Sequence, residues 1–296
     1  FKKAFRIDCA VADASPASGD IANMTYKIEG RDVQAFKKGT SSAETYTLAF
    51  WVKSNKTGTA QVTLIDADNS RQVGATYTIS SADTWEHKVL NYPADTSGAF
   101  DNDNAKSLEI EWALDAGSDF TSGAVPNAWE SSSNADRSVN DLALQDNTAN
   151  DWAITGIQLE VGTFSSTTLP PFQFESFGEN LVRCQRYHQV INDGGDVNNG
   201  VTGTGYFHTG SSFFFTTPLI TEMRATPSLS VSMGTNYINV LRNNGEDNGD
   251  NVELYSGTNR RMMGLKADDN TSGTQGHGGI IQLNNASAKI SVDAEL

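Results

Sequence analysis

An all-β protein of two domains, a two-sheet sandwich followed by a smaller antiparallel β domain, is what this sequence predicts. Three observations predict it. Apolar and polar residues alternate over many short runs, the period-2 signature of half-buried strands. Clusters of Gly, Asn, Asp and Ser separate the runs, where tight turns need them. The length of 296 residues exceeds one ordinary small domain and suits two cores, because domains cluster near roughly 100–200 residues.

The runs follow in order. Phe5 to Cys9 and Thr25 to Glu29 open the chain. Tyr46, Leu48, Phe50 and Val52 then line one face of a strand. Thr59 to Ile65, Thr76 to Ile79 and Trp85 to Leu90 follow. Leu108, Ile110, Trp112 and Leu114 point one way, with Glu109 and Glu111 on the other, solvated face. Ile157, Leu159 and Val161 repeat the pattern. Many short strands of this kind argue for two packed sheets, because each apolar face needs a cover. The polar stretch from Ala116 to Asn150 reads as an extended surface loop.

A boundary follows at Leu169-Pro170-Pro171, where paired prolines stiffen the chain and cannot donate to a ladder. The sandwich therefore occupies 1–169, a linker 170–192, and a terminal β domain 193–296. Within the linker, Leu181, Cys184, Tyr187 and His188 recur at helical spacing over Glu179 to Val190, although the aromatic end equally suits a strand start. Beyond it, strands are expected at Tyr206 to His208, Ser211 to Thr217, Ser228 to Met233, Tyr237 to Leu241, Val252 to Tyr255, Arg260 to Lys266, Gly279 to Leu283 and Ala288 to Glu295. Asn243 to Asn251 reads as a loop.

Composition narrows the function. Lys plus Arg total 21 against 36 Asp plus Glu, a net charge of −15 with no dense basic cluster, which disfavours nucleic acid and anionic membrane as partners. No apolar run approaches the roughly eighteen residues of a membrane span. The chain begins at Phe1 inside a strand-like run and reads as part of a longer polypeptide. Cys9 and Cys184 are expected as free thiols.

Chemistry-bearing motifs are absent: there is no phosphate-binding glycine loop, zinc-protease helix, nucleophile elbow or cysteine pair at metal spacing. Glu109 and Glu111 are not expected to form a catalytic pair, and His87, His188, His208 and His277 read as isolated imidazoles. No enzyme activity or cofactor is expected. If an ion binds, calcium fits best, since Asp95, Asp101, Asp103 and Asn104 cluster hard oxygens, as do Asp247 and Asp250, although such residues also stabilise turns. Aromatic faces flanked by polar groups suit sugars. Trp85, Trp129 and Trp152 flank polar loops; Trp85 and Trp152 also fit a core-capping role, which leaves Trp129 the leading contact residue, with Trp85, Asp247 and Asp250 beside it. Phe213, Phe214 and Phe215 put rings on both faces of one strand, which suits either a subunit interface or a fully buried central strand.

Four stretches, KIEGRDV at 27–33, TYTLAFWVKSNKTGT at 45–59, WAITGIQLEVG at 152–162 and NLVRCQRYHQV at 180–190, together resemble a module of tailed-bacteriophage fibre and tail proteins, especially those of marine phages. The resemblance implies a carbohydrate-binding-module-like jelly roll, with its first strand before Phe1, followed by a variable terminal β domain that ends in a true C-terminus. It departs from the pattern at Leu169-Pro170, where Ala-Thr is more familiar. It implies no catalytic residues. The expected role is host-surface attachment by a homotrimer in the virion, assembled with other virion proteins in the host cytoplasm and meeting a cell-surface glycan or protein. A head-fibre, decoration or tail-adaptor role without receptor binding is the alternative, and a polysaccharide depolymerase comes third.

Overall fold

The computed structural model describes residues 1–195, 200–243 and 245–296. Two compact units result, Phe1–Gln173 with Leu296, and Phe174–Glu295. The first holds nine strands: β1 (Phe5–Asp8), β2 (Ile21–Glu29), β3 (Tyr46–Ser54), β4 (Gly58–Asp66), β5 (Arg71–Ile79), β6 (Glu86–Tyr92), β7 (Lys106–Ala116), β8 (Glu130–Ser131) and β9 (Asp151–Val161). They form two antiparallel sheets, ordered β1-β9-β3-β6 and β2-β7-β4-β5-β8. Apart from the β4–β5 and β7–β8 steps, the chain crosses from one sheet to the other at each connection, the wrapped path of a jelly-roll sandwich.

Alternation in the sequence explains the packing. Tyr46, Leu48, Phe50 and Val52 of β3 turn inward and are buried with Leu108, Ile110, Trp112 and Leu114 of β7. Phe50 and Trp112 meet edge-to-face at 5.9 Å across the sheets. Each such side chain contributes about 1.5–3 kcal/mol on burial. Trp152 of β9 is fully buried, its indole N–H donating to Tyr77 Oη at 3.2 Å, so this tryptophan caps the core.

The stretch after β7 corrects the expectation of a surface loop. It carries a short helix α1 (Ser118–Thr121), β8, and 3-10 turns at Asn134–Asp136 and Leu144–Asp146. It lies as a strap on the outer face of the five-stranded sheet. Pro126 O accepts from Gly74 N at 2.7 Å, Asn140 O from Gln61 N at 2.8 Å, and Arg137 O from Thr63 Oγ1 at 3.1 Å. Trp129, Leu142 and Leu144 enter the core. The expected solvated face of β7 is corrected with it: Glu109 and Glu111 are both buried, Glu109 paired with Lys106 at 2.5 Å and Glu111 with Arg137 of the strap.

The second unit opens with helix α2 (Phe177–Gln185), started by a capping box in which Ser176 Oγ accepts from Glu179 N and Glu179 Oε2 accepts from Ser176 N. Strand β10 (His188–Asp193) follows, so the segment that read as helix or strand is one and then the other. Nine strands complete the unit: β11 (Val201–Thr209), β12 (Ser212–Pro218), β13 (Ser228–Ser232), β14 (Ile238–Arg242), β15 (Gly245–Gly249), β16 (Glu253–Leu254), β17 (Met262–Ala267), β18 (Gly278–Leu283) and β19 (Lys289–Asp293). They form a seven-stranded sheet, β15-β14-β18-β11-β12-β17-β16, and a three-stranded one, β10-β19-β13. One core draws on both sheets, with Phe207, Phe213, Phe215, Val240, Ile281, Ile290 and Val292 at its centre. The stretch expected as the loop Asn243 to Asn251 is instead largely strand β15, hairpinned to β14; its Asn244 lies outside the described residues. Cys9 and Cys184 are both free.

Candidate functional site

The outer face of the four-stranded sheet places three side chains in one row. Trp51 of β3 pairs with His87 of β6 on one side and with Thr155 of β9 on the other. The parity that sends Phe50 and Val52 inward sends Trp51 and Lys53 outward. Trp51 is 37% exposed, its ring stacked on the His87 imidazole at 4.9 Å and 24°. Burial against that ring pushes the His87 pKa down, which favours the neutral imidazole. Trp85, just before β6 and on the same side, is 39% exposed. The Lys53 ammonium stands 5.9 Å from its ring centre.

These rings border an open cleft of about 460 Å³, whose wall includes Phe1, Lys2, Lys3 and Thr155. A bulge shapes it. Between Ala49↔Gln158 and Trp51↔Thr155 the register slips, leaving Gly156 and Ile157 opposite Phe50 alone. Gly156 has φ +60°, and a Cβ there would meet the Phe1 ring at 2.4 Å, so glycine is required both by the turn and by the approach. Phe1 in turn packs edge-on against Phe172 at 4.8 Å. Thr155 Oγ1 donates to Lys3 O at 2.9 Å, which fixes the first residues along the sheet. Two accessible indoles flanking a polar, cationic wall can stack on the apolar face of a ring-shaped ligand while hydrogen bonding to its edge.

Of the residues expected from sequence, Trp85 lies in this cleft and Trp129 does not. Trp129 is 9% exposed, 5.8 Å from the Tyr46 ring, and donates its indole N–H to Pro93 O at 2.8 Å. Its expected role as leading contact residue is thereby corrected: pairing of β8 with the start of β5 pulls it down onto the core. Beneath it lies a cation cage. Lys38, fully buried, reaches Asp66 at 2.5 Å and Asp95 at 3.0 Å, donates to Ser97 O and Gly98 O, and stands 5.0 Å from the Trp129 ring.

The calcium expectation meets these contacts. Asp95 is partly desolvated, yet Arg71, Ser97 N–H and Lys38 hold its carboxyl below the usual range. Its oxygens already face Arg71 at 2.7 and 3.1 Å. Asp103 accepts from Ala105 N in its own turn. Asp247, expected beside the contact tryptophan, accepts from Ser272 N, and Asp250 from Asn236 N at 2.8 Å, so each carboxylate already holds a neighbouring main-chain N–H. Among the described residues, Glu253, Asp268 and Asp269 are the group of carboxylates close enough to share an ion, and Lys266 already bridges Glu253 and Asp268 at 2.9 and 2.5 Å.

The three consecutive phenylalanines divide by face. Phe213 and Phe215 are buried in the second core, which removes them as subunit contacts. Phe214 points outward, stacked on His208 at 4.6 Å and touching Tyr255 at 4.2 Å, with Tyr206 beside it. This aromatic face borders a hollow of about 320 Å³ together with Thr204, Thr216 and Met262.

Sequence reasoning missed Trp51. The signal was present: an indole at the outward parity of an otherwise inward-apolar strand, followed two residues later by a lysine.

Among the described residues no helix is long and apolar enough to cross a membrane, which leaves β-barrel spans unaddressed. No family model and no curated protein matches the chain. Solved structures similar to it include one described as "CBM4 structure and function", 10% identical over 53% of this chain and 69% of that one, with a TM-score of 0.28. Another is the N-terminal CBM22-1-CBM22-2 tandem domain of Paenibacillus barcinonensis Xyn10C, 9% identical over 94% of this chain and 83% of that one, with a TM-score of 0.23. At these scores neither likeness bears on function.

Proposed function

We propose that this chain is a virion fibre or tail protein of a tailed bacteriophage which attaches to a host-surface glycan through the Trp51–Trp85 cleft, binding without turnover. One observation carries the binding reading: two exposed indoles on one sheet face border an open cleft with Thr155 on its wall. Soluble proteins seldom leave two such rings adjacent and uncovered unless a partner covers them. The virion assignment rests on the four sequence stretches at 27–33, 45–59, 152–162 and 180–190.

Homotrimerisation belongs to the same proposal. The outward face of β12, with Phe214, Tyr206 and Tyr255, offers a second unit's aromatic surface for neighbouring copies. Three copies would multiply weak single-site contacts through effective concentration. Light scattering on purified protein tests this, and a monomer contradicts it.

Adsorption competition tests attachment. Host cells pre-coated with the folded chain should lose phage adsorption, and coating with a Trp51→Ala/Trp85→Ala variant should not protect them. Unchanged adsorption under wild-type protein instead favours the spacer, decoration or adaptor role. Shortened surface polysaccharide after incubation would point to a depolymerase.

A further inference from the structure

We infer that the ligand of the Trp51–Trp85 cleft is an anionic saccharide, one bearing carboxylate, phosphate or sulfate groups. The inference rests on that cleft being the glycan site proposed above. It comes from where the unpaired lysines are.

The chain has a net charge of −15, so a lysine without an acidic partner is the unusual case. Lys37, Lys38, Lys56, Lys88, Lys106, Lys266 and Lys289 all stand in ion pairs. Lys27 donates to Leu296 O. The lysines that remain, with no ion pair among the described residues, are Lys2, Lys3 and Lys53. Lys2 and Lys3 line the cleft, and Lys53 stands over the Trp85 ring at its border. Among the described residues, none that lines the cleft is acidic.

Three like charges around one opening repel each other, and in an acidic molecule they mark a place where an anion meets attraction instead of repulsion. The arrangement is held in place, since Thr155 fixes the main chain at Lys3 and Phe172 backs Phe1. The indoles take the apolar face of a sugar ring, and the ammonium groups take its charged substituent. A nucleic-acid strand fits less well, because a tracked phosphodiester backbone needs an extended basic path, whereas these lysines surround a single cleft.

The test is quenching of tryptophan fluorescence in the full chain, titrated with polygalacturonate, a sulfated carrageenan, neutral dextran and a short oligothymidylate. The expected result is binding of one or both acidic polysaccharides, weakened by added salt, with dextran and oligothymidylate silent. The carboxylate and sulfate arms separate the two sources of charge. Lys2→Gln/Lys3→Gln/Lys53→Gln should lose about tenfold in affinity for the acidic polymer, equivalent to about 1.4 kcal/mol, with an unchanged thermal transition. Dextran binding that requires Trp51 but ignores the lysines overturns this inference and leaves the glycan-binding function standing. Preference for oligothymidylate overturns it in favour of a nucleic-acid ligand. Silence with all four probes overturns it together with the proposed function.

Discussion

The two outer faces of the first unit's sandwich are built from similar alternating strands and end in opposite states. On the five-stranded sheet the outward residues are polar, with Gln61, Thr63, Gln72 and Glu111 all fully buried beneath the 117–150 strap. On the four-stranded sheet the outward residues around Trp51 stay open, and the rings and lysines there face solvent. Residue type alone therefore does not say which face is free. A polar face can be sealed by a strap whose carbonyls accept from its Gln61 amide and Thr63 hydroxyl and whose Arg137 pairs with Glu111, and an aromatic face can be left bare.

Trp129 separates the two faces most strongly. Trp129→Ala removes a ring that the strap sends into the core and should cost about 3–5 kcal/mol of stability in urea unfolding, while glycan binding by the fraction still folded is unchanged. Stability within about 0.5 kcal/mol of wild type would mean that the strap is not seated on the core. Arg137→Leu should cost about 3 kcal/mol near neutral pH, because it leaves Glu111 charged, buried and unpaired. Burial already raises the Glu111 pKa despite Arg137. A raised carboxyl pKa means the folded state holds the proton more tightly than the unfolded state does. Glu111's contribution to stability therefore improves as the pH falls through its folded value, and the Arg137→Leu deficit should shrink in the same direction. A deficit independent of pH would place the damage elsewhere.

On the open face the effects move from stability to binding. Trp51→Ala should lose about tenfold in affinity, roughly 1.4 kcal/mol, with little change in the unfolding midpoint. The smallest effect concerns His87. Its folded pKa lies below the ordinary 6.5 because of burial, so the folded state favours the neutral ring. Its contribution to stability is fully present above the unfolded value and is lost as the pH falls through the folded one. An NMR titration of the imidazole protons should give a midpoint below that of an unfolded-state histidine, and a midpoint above it would mean that His87 is not packed on Trp51.

Much of this fold was legible in the sequence because alternation reports burial directly. The inward set Tyr46, Leu48, Phe50 and Val52 and the inward set Leu108 to Leu114 both form the core as read. The strap was not legible, because it is held largely by main-chain carbonyls meeting Gln61, Thr63 and Gly74, and such bonds carry no side-chain pattern. Trp129 was misplaced for the same reason: a tryptophan in a polar stretch looks exposed until the stretch is seen to fold back. Half of the cleft was legible in Trp85. Trp51 was hidden inside a run whose inward face dominated the reading, and the contribution of Lys2 and Lys3 depends on the Gly156 bulge and the Thr155 hydrogen bond, which join residues distant in sequence.

Tryptophan footprinting distinguishes a binding four-stranded face from an inert strapped one. The chain holds 5 tryptophans, and limited N-bromosuccinimide oxidation read by peptide mass spectrometry reports on each. Trp51 and Trp85 should be oxidised in the free protein and protected when host-surface polysaccharide is bound, while Trp112, Trp129 and Trp152 react in neither state. Oxidation of Trp129 that the polysaccharide blocks, with Trp51 and Trp85 indifferent to it, would move the binding face to the other sheet.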